Sequence, residues 1–238
     1  MIDDKKVTAV ILAGGKGKRM ESRISKQYLK LNGKPVLYYS LNSFENSIAD
    51  EIILVVARGE EEYCRNEIVR YYNFKKVVKI VEGGKERYHS VYNGLRAVDQ
   101  TDIVMIHDGA RPFITEDIIE KAARETIASQ ACVVGVKVKD TIKVSDKNNC
   151  IVDTPDRSRL WQVQTPQSFS YTDIAAAYEY IFECNTDNIT DDAMVWEAYS
   201  NIPVKLIEGT YFNIKITTKE DMIFGEAILN NMKKTVNN

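Results

Sequence analysis

The strongest constraint on the fold is an alternation of short apolar runs with longer amphipathic segments. The apolar runs predict β-strands at residues 7–13, 51–57, 76–82, 102–107 and 131–138. Several runs are apolar on both faces, as strands buried in a parallel sheet are. Segments with helical periodicity lie between them, at residues 35–44, 60–72, 87–98 and 116–129. This alternation predicts an α/β fold, a doubly wound, mostly parallel sheet flanked by helices, with ligands at the carboxyl ends of its strands.

The alternation ends after Val138. Residues 140–153 predict a β-hairpin with a polar tip, and its strands are too short and too polar to join the core. Helical patterns return at residues 171–182, at 191–199 behind a Thr190 cap, and from 218 to the end, where Thr217 and Glu220 predict a capping box. Without repeats or a Pro/Ser-rich linker, residues 1–238 are expected to form a single domain that carries a protruding β-hairpin arm.

Composition and charge narrow the functional classes. A net charge of −2 gives no general attraction to nucleic acid or to an anionic membrane, so an anion site must be local. No apolar run approaches the roughly 20 residues of a membrane span, and the polar N-terminus is unlike a signal peptide. Four scattered cysteines and two histidines argue against a zinc site or a disulfide framework. We therefore expect a cytoplasmic protein that acts on small molecules, without nucleic-acid or membrane partners.

The first strand runs into the sequence V-I-L-A-G-G-K-G-K-R-M at residues 10–20. It matches neither a dinucleotide fingerprint, since Met20 stands where a third glycine is needed, nor a P-loop. Glycines nevertheless let backbone N–H groups converge on an anion, and Lys16, Lys18 and Arg19 supply positive charge. The segment predicts a phosphate-binding loop; the alternative is a glycine-rich turn with solvated lysines.

Further polar groups stand at predicted strand ends, where this architecture places its chemistry. Gly83 and Gly84 permit close backbone approach before a helix that carries Ser90. Asp108 follows a buried strand and suits Mg²⁺ held jointly with substrate phosphates. Lys215 alternates with apolar neighbours, so its charge needs a partner. These positions predict a site for a phosphorylated ligand.

Other polar and aromatic residues have plainer interpretations. His107 is expected to be a packed histidine at a strand end rather than a base or a metal ligand. Asp191 and Asp192 are expected to complement the dipole of their own helix. Trp161 and Tyr171 are expected to be core residues.

Taken together, the motifs resemble those of the 2-C-methyl-D-erythritol 4-phosphate cytidylyltransferase family. The resemblance spans residues 7–229 in family order, and it rests on L-A-G-G-K-G-K-R-M, S-K-Q-Y-L, E-G-G-K-E-R-Y-H-S-V-Y-N-G-L, H-D-G-A-R-P-F, D-T-I-K, L-W-Q-V-Q-T-P-Q-S-F, T-D-D-A and N-I-K-I-T. Ser25 and Lys219 replace prolines that are usual in the family. Both replacements concern backbone stiffness rather than chemistry.

The resemblance implies a Rossmann-like nucleotidyltransferase fold that joins CTP to a methyl-sugar-alcohol phosphate and releases pyrophosphate, in the non-mevalonate route to isoprenoid precursors. It implies that the opening loop wraps the triphosphate through Ala13, Gly14, Gly15, Gly17, Lys18 and Arg19. Lys26 would lie against the α-phosphate, with Gly84 and Ser90 beside the cytidine. Asp108 would meet Mg²⁺ and the ribose region. The sugar phosphate and the reacting centre would be bordered by Asp108, Arg111, Thr141, Arg157, Thr165 and Lys215.

Catalysis by such a site requires charge stabilisation rather than a protein base. A phosphate monoester, with a second pKa of about 6, is largely dianionic at neutral pH and is already nucleophilic. The resemblance assigns Arg19, Lys26 and Lys215 to catalysis, by positioning and electrostatics. It also implies a homodimer in which an arm at residues 139–165 reaches into the neighbouring subunit.

Three alternatives stay open at the level of sequence. Ribitol-5-phosphate cytidylyltransferases share the fold, CTP and mechanism, although Gly109-Ala110 and Asp140-Thr141 look more like the methylerythritol family. A nucleotidyltransferase for another base is a second alternative, because loop glycines do not encode cytosine selectivity. A non-catalytic nucleotide-binding module is a third, but it would have no reason to keep Lys26, Asp108 and Lys215 together.

Overall fold

The computed structural model describes residues 1–15, 25–184 and 188–236, with side chains as far as residue 232. Its strands are β1 Val7–Ala13, β2 Lys30–Leu31, β3 Lys34–Pro35, β4 Glu51–Val56, β5 Val77–Glu82, β6 Ile103–Asp108, β7 Ala131–Lys137, β8 Val144–Ser145, β9 Ile151–Asp153, β10 Trp161–Ser170 and β11 Lys205–Glu208. Its helices are α1 Val36–Glu45, α2 Glu61–Tyr63 with its π-helical continuation Cys64–Arg70, α3 Arg87–Arg96, α4 Glu116–Ser129, α5 Tyr171–Glu183, α6 Asp192–Tyr199 and α7 Lys219–Val236.

The main sheet, within the described ranges, has seven strands in the order β11-β7-β10-β6-β1-β4-β5. Neighbouring strands are parallel except for β10, which runs antiparallel to both β6 and β7. Side chains from α1, α2 and α4 pack against one face, and those of α3, α5 and α6 pack against the other. The predicted doubly wound, mostly parallel sheet is therefore confirmed.

The register of the parallel strands brings their carboxyl ends to one edge. Leu12 pairs with Asp108 across β1 and β6, and Ala13 pairs with Val56 across β1 and β4. Val56 in turn pairs with Glu82 of β5. The glycines after β1, the glycines after β5 and Asp108 at the end of β6 consequently lie at the same level of the sheet.

Strands β10 and β11 do not appear among the sequence predictions. Strand β10 is rich in polar residues and contains Pro166, so its composition is unlike that of a buried strand. Four of its polar side chains are buried nonetheless, and they are Gln164, Thr165, Gln167 and Ser168. Trp161 and Tyr171, expected in the core, are half-buried. Strand β11 lies at a sheet edge and is mostly exposed, so it has no clear apolar pattern.

Two predicted helix caps are shifted by one residue. Helix α6 is capped by Asp191, whose carboxylate accepts from the Met194 N–H at 3.0 Å, and not by Thr190. Helix α7 begins at Lys219, and the Thr218 N–H donates to the Asp221 carboxylate at 2.8 Å. An aspartate at the third helical position closes the capping box here, in place of the predicted pair of Thr217 and Glu220.

The predicted hairpin after Val138 is present but short. Its paired strands are β8 and β9, and residues 139–153 are all exposed. Apolar side chains of this arm face solvent, among them Ile151 and Val152, which are 64% and 61% exposed. None of the described helices is both long and apolar enough to cross a membrane.

Gly94 gives a test of the packing between α3 and the sheet. A methyl group at this position would lie 2.5 Å from Val10 Cγ1 and 2.9 Å from Val55 Cγ2. We expect Gly94→Ala to lower the free energy of unfolding by about 1–3 kcal/mol, because overpacking outweighs the gain in helix propensity. Urea denaturation measures the effect.

Gly225→Ala is the matched control, since its added methyl would meet the terminal carbons of Leu31 and Ile216 at 3.2 and 3.4 Å. Those methyl groups can shift, so the change should be neutral or stabilising by up to about 1 kcal/mol. Equal stabilities of the two variants would show that α3 does not pack this closely.

Candidate active site

A cleft of about 580 Å³ opens at the carboxyl ends of β1, β5 and β6. Segments far apart in the chain form its walls, and the lining residues are Leu12, Ala13, Gly14, Gly15, Lys26, Gln27, Gly84, Lys85, Glu86, Arg87, Ser90, Asp108, Ala110 and Lys215. The cleft thus gathers the predicted residues Ala13, Gly14, Gly15, Lys26, Gly84, Ser90, Asp108 and Lys215.

The Asp108 carboxylate is the electrostatic centre of the cleft. Lys215 Nζ lies 2.8 Å from its Oδ2 atom, which supplies the partner predicted for that lysine. Arg87 Nε lies 3.4 Å from Oδ1, and Arg111 Nε lies 3.7 Å from Oδ2. Burial alone would raise the pKa of Asp108, but the charges of Arg87, Lys215 and Arg111 hold that pKa well below its ordinary value. Asp108 is therefore an anion at every physiological pH.

Lys26 reaches the same place from another segment. It lies in a short 3₁₀ turn, Lys26–Tyr28, and its Nζ donates to the carbonyl of Ile216 at 3.0 Å. That carbonyl belongs to the residue after Lys215, so two lysines separated widely in sequence meet beside Asp108. The next residue, Gln27, is buried and donates from its amide to the Ala13 carbonyl at the end of β1.

Behind Asp108, a chain of hydrogen bonds fixes the end of β6. Thr165 Oγ1 accepts from the Asp108 N–H at 3.1 Å and lies 2.9 Å from His107 Nδ1. Because the Arg111 carbonyl can only accept, the single N–H of the neutral ring is at Nε2 and donates to it at 3.3 Å, and Nδ1 accepts from the Thr165 hydroxyl. Burial lowers the pKa of His107 to about 4, so the ring is neutral at pH 7. His107 is a packed histidine, as the sequence predicts.

An ion pair that sequence reasoning missed anchors this region to α6. The Arg87 guanidinium binds Asp192 through two contacts of 2.8 Å, and Asp192 is completely buried. Tyr178 also donates to Asp192, at 2.6 Å. Asp192 stands in the first turn of α6, as expected for a charge that complements the helix dipole, but its carboxylate also binds Arg87, 105 positions away. Burial lowers the pKa of Arg87, but Asp192 and Asp108 raise it well above the ordinary value.

Glycine is required where the backbone closes the cleft. A Cβ atom on Gly83 would lie 2.9 Å from Ser90 Oγ and 3.2 Å from the Val56 carbonyl oxygen. The Gly84 N–H donates to Ser90 Oγ at 3.0 Å, which ties the turn after β5 to the first turns of α3. A Cβ atom on Gly14 would likewise lie 3.3 Å from the carbonyl carbon and oxygen of Val56.

Comparison of the sequence with known proteins identifies the family of this chain. The family model for 2-C-methyl-D-erythritol 4-phosphate cytidylyltransferase matches residues 7–231. The chain belongs to this family. The enzyme of that name from Lachnoclostridium phytofermentans is 50% identical, covering 94% of this chain and 97% of its own. The one from Lachnospira eligens is 54% identical, over 90% of this chain and 95% of its own.

Solved structures point to the same family. The crystal structure of 4-diphosphocytidyl-2C-methyl-D-erythritol synthase from Anaerococcus prevotii matches with a TM-score of 0.84 and 35% identity, covering 96% of this chain and 98% of that one. The Francisella tularensis 2-C-methyl-D-erythritol 4-phosphate cytidylyltransferase matches with a TM-score of 0.76 and 32% identity, covering 92% and 97%. The predicted Rossmann-like fold and nucleotidyltransferase class are thereby confirmed.

Other residues that the family resemblance suggested lie outside the cleft lining. Arg111 borders Asp108 but turns its guanidinium to the Asn213 carbonyl, 2.8 Å away. Thr165 is buried behind Asp108. Thr141 and Arg157 are exposed on or beside the arm, and Arg157 donates to the Lys139 carbonyl at 2.7 Å. Lys16, Gly17, Lys18 and Arg19 lie outside the described residues.

The ion pair of Arg87 with Asp192 gives a test of how this site is held. Asp192→Asn keeps the shape of the side chain but removes the buried charge that Arg87 requires. We expect the free energy of unfolding to fall by about 3–5 kcal/mol, the usual cost of breaking a buried pair. Chemical denaturation followed by circular dichroism measures this change.

Asp191→Asn is the control next to it in sequence. Asparagine caps helices as well as aspartate does, so α6 should lose no more than the hydrogen bond that Asp191 accepts from Gln167, about 1 kcal/mol. If both variants were equally stable, the buried pair would not anchor α6.

Proposed function

We propose that this cytidylyltransferase transfers the cytidylyl group of CTP to 2-C-methyl-D-erythritol 4-phosphate, giving 4-diphosphocytidyl-2-C-methyl-D-erythritol and pyrophosphate for isoprenoid precursor synthesis. The observation that carries the proposal is the convergence of Lys26 and Lys215 on Asp108, beside the glycine backbone after β1. Cations that face a glycine backbone, whose N–H groups can converge on an anion, suit a triphosphate. Family membership supplies the identity of the two substrates.

The chemistry is one displacement at phosphorus. An oxygen of the methylerythritol phosphate attacks the α-phosphorus of CTP while the bond to the oxygen bridging the α- and β-phosphates breaks. That oxygen leaves with pyrophosphate, and a new phosphoanhydride remains. Since the attacking monoester is largely dianionic above a second pKa of about 6, no proton has to be removed by the protein.

The protein's task is to bring two anions together and to stabilise the added charge at phosphorus. Lys26 would lie against the α-phosphate, and Lys215, held beside Asp108, would meet the incoming phosphate. Arg19 is assigned the same role by the family resemblance. Fixed cations of this kind lower the barrier without reorganising, and loss of one costs about a hundredfold in rate.

We further propose that Mg²⁺ accompanies the triphosphate, with Asp108 as its protein ligand. Among the described residues, no group of three or more acidic, cysteine or histidine side chains forms a metal cage. One carboxylate together with substrate phosphates is nevertheless a common arrangement for Mg²⁺. The residues therefore fit a metal that arrives with the nucleotide, where it would neutralise phosphate charge.

Replacement of Asp108 tests this assignment. Asp108→Asn keeps the shape but removes the negative charge, so we expect lower activity and a higher Mg²⁺ concentration for half-maximal rate. Mg²⁺ titrations at fixed CTP compare the variant with the wild type. Superimposable Mg²⁺ curves would exclude Asp108 as a metal ligand.

The choice of sugar phosphate separates this activity from its nearest alternative. With CTP held constant, we expect kcat/KM for methylerythritol phosphate to exceed that for ribitol 5-phosphate by at least about tenfold, or 1.4 kcal/mol. Pyrophosphate release measures both reactions. A preference for ribitol 5-phosphate would assign the chain to the sister activity, and absence of product with either would support a binding module.

We also propose that the active unit is a homodimer joined through the arm at residues 139–165. The exposed hairpin of β8 and β9 has two short strands, and isolated two-stranded hairpins are marginal in water. Its exposed apolar side chains and open edges would be covered by a two-fold partner. Thr141 and Arg157, which do not line their own chain's cleft, would then serve the sugar phosphate bound by the partner.

Mixed dimers test the exchange of arms. Lys26→Ala and Arg157→Ala homodimers should each lose most activity, whereas mixed dimers from co-expression should recover about half the wild-type rate, because one site carries both lesions and the other carries neither. Differently tagged subunits allow the mixed dimers to be purified and assayed. If verified mixed dimers stay inactive, Arg157 and Lys26 belong to one chain's site.

A further inference from the structure

We propose that Glu60 is a positioning residue for Lys26, holding the catalytic turn from both sides through Ser25 and Tyr28. The inference rests on the proposed function, in which Lys26 meets the triphosphate. Glu60 caps the start of α2, in the connection that follows β4. This connection would therefore help to set the geometry of the reaction.

The two oxygens of the Glu60 carboxylate have different partners on the Lys26 turn. Ser25 Oγ donates to Oε1 at 3.0 Å, and the Tyr28 hydroxyl donates to Oε2 at 2.7 Å. These donors stand immediately before and two residues after Lys26. A bidentate clamp across three peptide units fixes the direction in which the lysine leaves the backbone.

Protonation of this cluster follows from burial. Burial raises the pKa of Tyr28 above its ordinary value, and the neighbouring Cys64 and Glu60 raise it further, so the phenol keeps its proton and gives it to Glu60. Cys64 Sγ lies 2.9 Å from the same phenol oxygen, and burial raises the pKa of this thiol to about 11. The thiol is therefore the donor to Tyr28, and the hydrogen bonds run in one direction, from Cys64 through Tyr28 to Glu60.

The clamp is itself tied to the central sheet. Glu60 follows β4 through a turn in which Gly59 has φ +81° and the Glu60 N–H donates to the Ala57 carbonyl at 3.0 Å. The Glu60 carbonyl accepts from the Cys64 N–H at 2.9 Å, which starts α2. The backbone around Lys26 is thus connected to β4 through Glu60, while the Lys26 ammonium group donates to the Ile216 carbonyl.

A double-mutant cycle measures whether Glu60 acts through Lys26. We expect Glu60→Ala to lower kcat by about tenfold, because displacement of a catalytic group by less than 1 Å is costly. In a Lys26→Ala background the same change should lower kcat by less than about twofold, since there is no longer a lysine to position. Glu61→Ala, which removes the same charge one residue away, should leave kcat unchanged relative to the parent in each background.

Backbone rescue at position 25 gives a second readout. Ser25 has φ −57° and ψ 135°, values that proline adopts without strain. Ser25→Ala should lose the hydrogen bond to Glu60 Oε1. Ser25→Pro also lacks this bond, but its ring fixes φ and so restores a rigid backbone before Lys26. We expect the proline variant to exceed the alanine variant in kcat by at least about threefold.

The outcomes separate this inference from the proposed function. If Lys26→Ala keeps full activity, the role of Lys26 fails and the inference falls with it. If Lys26→Ala is impaired but Glu60→Ala costs the same factor in both backgrounds, Glu60 is merely structural and the proposed function stands. Should Glu60→Ala not fold, Tyr28→Phe, which removes one hydroxyl, takes its place in the cycle with the same criteria.

Discussion

A buried carboxylate surrounded by cations is the constraint on which the rest of the site depends. Asp108 is 7% exposed, and its charge would be costly without Lys215, Arg87 and Arg111. The reverse also holds, because these cations repel one another and Asp108 keeps them close together. Together they form a preorganised field of charge in which, under the proposed function, a triphosphate would bind.

A different part of the fold holds each of these charged side chains in place. Thr165 and His107 fix Asp108 from behind, and Asp192 anchors Arg87 to the helices on one face of the sheet. Glu60, next to β4, sets the turn that carries Lys26. In the proposed mechanism the chemistry therefore depends on side chains that never meet substrate, so we expect their replacement to lower activity.

Sequence reasoning predicts those elements that local patterns of apolar and polar residues encode. Apolar runs identified the parallel strands, and their ends located the cleft around Gly84 and Asp108. It failed where burial depends on distant partners. Strand β10 looked polar because its buried Gln167 accepts from two backbone N–H groups at the start of α6. Asp192 looked like a helix-end charge alone because its partner, Arg87, lies 105 residues earlier in the chain. Lys215 visibly needed a partner, but only the assembled sheet identifies Asp108.

The contact between Lys26 and the Ile216 carbonyl joins residues 190 positions apart. Synthesis proceeds from the N-terminus, so a growing chain can pair β1, β4 and β5 long before this contact is possible. The cleft acquires Lys215 only after every strand of the main sheet has been synthesised, and contacts of such long range form slowly. A product truncated shortly before Lys215 would carry every strand of the main sheet yet lack one wall of the candidate site.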